Sequence, residues 1–149
     1  MGSIDGKGSG SGPPAQARRR SDGLDYIGRK YLEAKAKHNW LSACAAFRGF
    51  ADQPGVLRSA IVLFELYDAK IGYAWPSRDY LCERLRSPRS SVSEWTGKLE
   101  NAGAIEKVPV RFVEKWVLKI TRRRASRAQY YRLNFSWADE VLRSEGSDL

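Results

Sequence analysis

The chain is poor in the side chains that bind metal ions or form disulfide bonds. Its 149 residues include two cysteines and one histidine, and Cys44 and Cys82 share no metal-ligand spacing with each other or with His38. Each cysteine lies in an apolar pattern, so we expect buried thiols in a reducing cytoplasm. His38 has no neighbouring ligand and is expected at the surface. The sequence therefore predicts no metal site.

Long apolar runs and enzyme motifs are also lacking. The longest apolar stretch, residues 60–67, contains Glu65 and falls well short of the roughly 18 residues that cross a membrane. No apolar stretch follows the first residues, so we expect no secretory signal. The chain has no His-x-Glu motif, no catalytic carboxylate spacing, no phosphate-binding glycine loop in its folded part and no Cys–His pair. We therefore predict a cytoplasmic protein with no membrane partner, no catalytic residues and no cofactor.

Positive charge is what the sequence has in excess. The net charge is +9, which favours polyanionic partners such as nucleic acid or acidic lipid. Residues 107–132, called the basic segment below, hold nine basic side chains and one acid, Glu114, for a net charge of +8. Residues 76–103 are nearly balanced, with five basic and four acidic side chains. The basic segment is therefore the strongest electrostatic sign of a nucleic-acid partner.

The two ends of the chain differ from its middle in composition. Residues 1–21 are rich in Gly and Ser and end in three arginines, which predicts a flexible tag or linker, or an arm that touches phosphates. Residues 22–53 are predicted to form an N-terminal helical segment, either one helix or two because its middle is polar. This segment is either a brace or a homodimer arm. Residues 137–149 are predicted as a short C-terminal helix and tail, opened by a capping box at residues 136–139.

Residues 54–136 carry three helical patterns followed by an alternating one. The first helix covers residues 56–70 and ends at Gly72, and the second begins at Ser77 as N-cap. The third has Ser87 as N-cap and Pro88 in its first turn, and it ends at Gly103. Its core stripe is predicted to consist of Val92, Leu99 and Ala102, with Trp95 or Thr96.

From residue 104 the apolar spacing approaches two. The alternating positions are Val108, Val110, Phe112, Trp116, Leu118, Ile120, Tyr131, Leu133 and Phe135. This pattern predicts a long β-hairpin whose tip is the basic run at residues 122–127.

A longer motif joins the helices to the hairpin. From Ala74 the chain reads AWPSRDYLCERLRSPRSSVSEWTGKLENAGAI. The motif positions are Gly72, Trp75, Pro76, Ser77, Leu81, Leu85, Val92, Leu99, Gly103 and Ile105. This run resembles a bacterial and phage family of winged helix-turn-helix DNA-binding proteins, which includes replication initiators and transcription regulators. The chain departs from the family pattern at Arg86, which replaces a turn glycine, at Pro88 and Thr96, and at Gly97 in mid-helix.

The resemblance implies a mainly α fold with a β-hairpin, namely a winged helix-turn-helix with an extra N-terminal helix. It also implies sequence-specific binding of double-stranded DNA by a nucleoid-associated regulator or a plasmid or phage replication protein. The helix expected to read bases presents Arg89, Ser90, Ser91, Ser93, Glu94 and Lys98. Phosphate contacts are expected from Ser77, Arg78, Arg122, Arg123, Arg124 and Arg127. Two alternatives stay open: these side chains are simply solvated, or the domain is an adaptor or dimerisation module whose basic segment meets an acidic protein.

Overall fold

A computed structural model describes residues 26–121 and 129–146, and in these ranges the protein is mainly helical with one antiparallel pair of short strands. The helices are α1 (Tyr26–Ala46), α2 (Pro54–Leu66), α3 (Arg78–Leu85), α4 (Arg89–Ala102), α5 (Lys115–Thr121) and α6 (Phe135–Gly146). Short 3-10 turns cover Arg48–Phe50 and Val110–Phe112. Strand β1 (Ile105–Val108) pairs with β2 (Tyr130–Leu133), with Ile105 opposite Leu133 and Val108 opposite Tyr130. The predicted linker at residues 1–21 and the arginine run at residues 122–127 lie outside the described residues.

One hydrophobic core joins the ends of the described chain to its middle. Helix α1 is a single helix that packs on α2 and α6, so the polar stretch in its middle does not divide it. Trp40 of α1, Leu63 of α2, Leu99 of α4 and Val141 of α6 all belong to the same buried cluster. The N-terminal and C-terminal helices therefore complete the core of residues 54–136.

A close contact between Gly55 and Trp95 sets how α2 and α4 pack. The Trp95 indole lies directly over the backbone of α2, and a Cβ atom added to Gly55 would overlap the indole ring. A large aromatic side chain fits on this face of α4 because the facing residue has no side chain. The sequence predicted Trp95 in the core but not its partner.

The α3–α4 connection follows the predicted plan with one change. Ser77 caps α3 as predicted, because its hydroxyl oxygen accepts a hydrogen bond from the Tyr80 amide at 3.0 Å. Arg86 ends α3 in the left-handed region, with φ 51°, where glycine is less strained. The prediction that Ser87 caps α4 was wrong: its hydroxyl donates to the Leu85 carbonyl at 2.9 Å, and Pro88 occupies the N-cap position.

Two predicted boundaries of other elements were also wrong. Helix α2 ends at Leu66, and Gly72 is not its cap but a residue of the turn that follows, with its amide donating to the Asp68 carbonyl at 2.7 Å. The Asp68 carboxylate accepts backbone hydrogen bonds from Lys70 and Ile71, which competes with continuation of the helix. Helix α6 begins at Phe135, and the oxygen that accepts from the Trp137 amide belongs to Asn134 rather than Ser136.

The largest correction concerns the predicted long hairpin. The segment that carries Trp116, Leu118 and Ile120 is helix α5, so each strand of the hairpin has only four residues. Val117 and Thr121, which are spaced by one helical turn, are buried, whereas Ile120 is 51% exposed. The alternating pattern was misleading because the buried pair has helical spacing and the predicted strand face does not point inward.

The two interior glycines of α2 and α4 give opposite predictions for alanine substitution. Gly55→Ala should lower the free energy of unfolding by about 1–3 kcal/mol, because the new methyl group overlaps Trp95. Gly97→Ala should raise it by about 0.5–1 kcal/mol, because the Cβ would meet no atom within 4 Å and alanine favours a helix. Urea unfolding followed by tryptophan fluorescence measures both. A neutral Gly55→Ala would contradict the packing described for α2 and α4.

Candidate nucleic-acid interface

Helix α4 has a buried face and an open face. Val92 and Leu99 are buried in the core, as predicted, while Arg89, Ser90, Ser93 and Glu94 are exposed. Ser91 and Lys98 are half-buried. The middle of the open face is formed by small residues, since Gly97 follows Ser90 by two helical turns and no atom of the described residues lies within 4 Å of its Cβ position. A partner can therefore approach the backbone of α4 closely.

The charged side chains of α4 differ in how far the fold already engages them. Arg89 Nη2 lies 3.2 Å from Asp79 Oδ1, and both side chains are about two-thirds exposed. Glu94 Oε2 lies 3.3 Å from Lys98 Nζ, which also donates to Gln53 Oε1 at 2.9 Å. Exposed ion pairs contribute roughly 0–1 kcal/mol, so Arg89 and Glu94 can exchange their partners at low cost. Lys98 is directed toward the beginning of α2.

The beginning of α3 and the beginning of α4 meet at a small pocket. Its volume is about 190 Å³, and it is lined by Ser77, Arg78, Asp79, Arg89 and Gln129. The predicted phosphate-contact residues Ser77 and Arg78 are thus brought together with Arg89, which was predicted to contact a base. The N-terminus of α3 adds the positive end of the helix dipole, and its side of the pocket suits an anionic oxygen. Asp79 opposes this with one negative charge.

Strand β2 is hydrogen-bonded to the residues just before α3. Ala74 and Tyr131 exchange backbone hydrogen bonds of 2.9 and 2.8 Å, and the Gln129 amide donates to the Pro76 carbonyl at 2.9 Å. The basic segment therefore returns to the fold beside the N-terminus of α3. This pairing places one end of the basic segment next to the pocket that Arg78 and Arg89 line.

The described part of the basic segment presents unpaired cations. Lys107, Arg111, Lys115 and Lys119 are exposed, and within residues 26–121 and 129–146 none has an ion-pair partner. The Arg111 guanidinium lies 4.7 Å from the centroid of the Phe112 ring. The predicted contacts of Arg122, Arg123, Arg124 and Arg127 lie outside the described residues and remain predictions from the sequence.

The structure adds Asn101 to the open face of α4. Asn101 is exposed and continues the line of Ser90, Glu94 and Gly97, whose successive spacings are four, three and four residues. The set of base-contacting residues predicted from the sequence ends at Lys98 and does not include Asn101. The helical spacing was the signal that would have found it, since an amide side chain on this line can donate to and accept from a base edge.

The remaining candidates for chemistry are part of the fold. Burial raises the pKa of the Cys44 thiol to about 12, and Cys82 is half-buried. Trp116 packs against the smaller core cluster of Tyr73, Val108, Val113, Val117 and Tyr130. In the part of the chain that the structure describes, no three His, Cys, Asp or Glu side chains are grouped to hold a metal ion. None of the helices described there has the length and apolar character to cross a membrane.

Comparison of the chain with protein-family models, with curated proteins and with solved structures gives no match.

Proposed function

We propose that the chain is a winged helix-turn-helix protein that binds double-stranded DNA sequence-specifically, as a transcription regulator or a plasmid or phage replication protein. The observation that carries the proposal is the open face of α4. Helix α4 follows a three-residue turn after α3, and its open face carries Ser90 and Gly97. In the described part of the chain, no atom covers the Cβ position of Gly97. A helix whose exposed face carries small residues can lie deep in the major groove. The longer side chains beside these residues can then reach base edges.

The order of elements supports the same proposal. Helices α2, α3 and α4 are followed by the β1–β2 pair, and Ala74, just before α3, forms an isolated antiparallel bridge with Tyr131 of β2. In helix-turn-helix proteins the second helix of the pair reads the groove. In this proposal α4 has that role, and the β1–β2 hairpin with the basic segment is the wing.

The charges suggest a division of roles between the two parts. Residues 76–103 are nearly neutral, whereas the basic segment has a net charge of +8. Phosphate contacts supply affinity without sequence information, and base contacts supply discrimination. In this proposal Arg89 donates to a guanine, Glu94 accepts from a cytosine amine and Asn101 contacts an adenine. The basic segment then provides most of the phosphate contacts.

Selection of bound duplexes from a random pool tests the proposal directly. We expect an enriched motif and a steep fall of affinity with rising salt concentration. The symmetry of the motif also reports whether one or two copies bind. A pool without an enriched motif, or affinity that does not change with salt, would contradict the proposal.

Variants of α4 should change sequence preference at single positions. Arg89→Ala and Glu94→Ala should each cost about 1–3 kcal/mol on the preferred base and relax selection at that position, because a specific base contact is lost. Glu83→Ala on α3 is the control for Glu94→Ala, because Glu83 is an exposed acid outside the open face. Competition binding on single-base variants of the selected duplex measures the effect. Identical preferences for all variants would exclude these base contacts.

Variants of the basic segment should weaken binding to every sequence alike. Lys119→Ala and Arg123→Ala should each reduce the slope of log affinity against log salt by about one, because each removes a phosphate contact. Lys35→Ala on α1 removes the same charge from an exposed position outside this segment and should leave the slope unchanged. Titrations at three or more salt concentrations supply the slopes. An equal change of slope for Lys35→Ala would mean that only net charge matters.

An exposed apolar line on α1 favours a second candidate function, self-association. Ile27 is 76% exposed and Tyr31 is 62% exposed, and the exposed residues Ala34 and His38 continue the line at helical spacing. The buried residues of α1, such as Trp40, lie on another face of the helix. A second copy of the chain packed along this line would give a dimer that reads paired half-sites.

Light scattering coupled to a sizing column tests this dimer. We expect the wild type to elute as a dimer and the double variant Ile27→Ser/Tyr31→Ser as a monomer, because the variant removes the apolar line. Ile61→Ser changes an exposed apolar residue on α2 and should leave the dimer intact. A monomeric wild type at micromolar concentration would exclude self-association through α1 without affecting the DNA-binding proposal.

A further inference from the structure

The single acid of the basic segment, Glu114, belongs to a hydrogen-bonded group with Tyr73 and Arg132, called the Glu114 network here. The Tyr73 hydroxyl donates to Glu114 Oε1 at 2.7 Å. Arg132 Nη2 donates to the Tyr73 hydroxyl oxygen at 2.7 Å and to Glu114 Oε2 at 3.1 Å. Both carboxylate oxygens of Glu114 therefore have a donor, one from the turn before α3 and one from β2.

Burial fixes the direction of these hydrogen bonds. Tyr73 is 1% exposed, and burial raises the pKa of its hydroxyl to about 12, so the hydroxyl keeps its proton and donates to the carboxylate. The Arg132 guanidinium lies 4.8 Å from the centroid of the Tyr73 ring, which adds a cation–π contact. The network is thus a charge-assisted contact with a neutral tyrosine at its centre.

A second contact holds the other end of α5. The hydroxyl groups of Thr121 and Tyr130 are hydrogen-bonded to each other, and Thr121 also donates to the Val117 carbonyl at 3.0 Å. The Tyr130 ring packs edge-on against Tyr73, with centroids 5.8 Å apart. Helix α5 is therefore connected to β2 both at Glu114, which precedes its first residue, and at its last residue, Thr121.

These connections matter because α5 is short. It has seven residues, and helices shorter than about 12 residues are marginal in water without tertiary contacts. Val117 and Thr121 face the core, while Lys115 and Lys119 are exposed one helical turn apart. The positions of both lysines therefore depend on the contacts that hold α5 against β2.

We infer that Glu114 is a positioning residue, which fixes α5 so that Lys115 and Lys119 are ordered for phosphate contact before DNA binds. The inference rests on the proposed function. Charge alone predicts that loss of an acid from a basic segment raises DNA affinity. We expect the opposite for Glu114. Its loss should lower DNA affinity, because α5 must then be ordered when DNA binds, and this ordering costs free energy.

Glu114→Gln is the main variant and Glu106→Gln is its matched control. Both remove one negative charge from the β1–α5 region and keep the side-chain size. Glu106 is exposed on β1, and its Oε1 lies 4.0 Å from Arg132 Nη1, a longer contact than the two that Arg132 makes within the Glu114 network. Tyr73→Phe removes the hydroxyl from the network without any change of charge. All three variants are compared with the wild type at a temperature well below their unfolding midpoints.

Hydrogen exchange measures the positioning without DNA. The amides of Val117 and Leu118 donate to the Glu114 carbonyl at 3.0 and 3.1 Å and report on the first turn of α5. We expect them to lose protection at least about tenfold in Glu114→Gln and Tyr73→Phe, with no change in Glu106→Gln or in the amides of α4. Unchanged protection in Glu114→Gln would overturn the inference.

DNA titration against salt measures the consequence. Glu114→Gln and Tyr73→Phe should bind about threefold to tenfold more weakly than the wild type. The salt slope of Glu114→Gln should stay close to that of the wild type, because both lysines still reach phosphates once α5 is ordered in the complex. Glu106→Gln should bind at least as tightly as the wild type. A purely stabilising role for Glu114 would lower the unfolding midpoint and leave DNA affinity at this temperature unchanged, which would overturn the inference.

The proposed function and the inference about Glu114 can be contradicted separately. A wild type that binds no duplex overturns the proposed function and the DNA part of this inference, whatever the exchange data show. A wild type that binds duplex while Glu114→Gln binds equally or more tightly overturns the inference alone.

Discussion

The buried carbonyl of Ala104 is the point at which the parts of the fold are joined. It accepts hydrogen bonds from the Trp40 indole at 2.8 Å and from the Asn134 amide at 2.9 Å. The Ala104 amide donates to the Leu99 carbonyl at 3.0 Å, and the Asn134 side-chain amide donates to the Gly103 carbonyl at 2.9 Å. Each of these contacts satisfies a buried polar group, and leaving such a group unpaired costs about 1–3 kcal/mol. The contacts that hold α1, α4, β1 and the start of α6 together therefore depend on one another.

This junction relates the two parts of the proposed interface. Gly103 takes up φ 94° at the end of α4, which lets the chain reverse into β1 without strain. β2 then returns to Asn134 at the same junction. The open face of α4 and the basic segment therefore extend from one rigid centre. A rigid relation of this kind allows base contacts and phosphate contacts to form together without a separate ordering cost for each.

Some local features of the fold were predictable from the sequence, whereas three of the predicted helix caps and the features that depend on distant partners were not. The Ser77 cap, the Gly103 cap and the Val92–Leu99 stripe follow from residues within one helix and are confirmed. Helix α5 was missed because its apolar spacing fits a strand equally well. One contact that holds it also comes from a distant residue, because the Tyr130 hydroxyl that is hydrogen-bonded to Thr121 lies beyond the basic run in the sequence. Likewise, the candidate site residues were chosen by type and spacing, but the Arg89–Asp79 contact needs the relative placement of two helices.

Gly97 and Arg86 are residue types that local helix and turn preferences do not favour, although the Arg86 amide caps α3 by donating to the Cys82 and Glu83 carbonyls. Gly97 costs about 1 kcal/mol relative to alanine, and the space at its Cβ position is empty. Arg86 has a left-handed backbone that glycine would adopt with less strain, and its side chain is exposed. The proposed DNA interface gives both a common explanation. Close approach of DNA to α4 would require a small residue at position 97. The cationic side chain of Arg86 would attract a phosphate, whereas a glycine at the same position would not. Strain and poor helix propensity at exposed positions are expected where function rather than folding determines the residue.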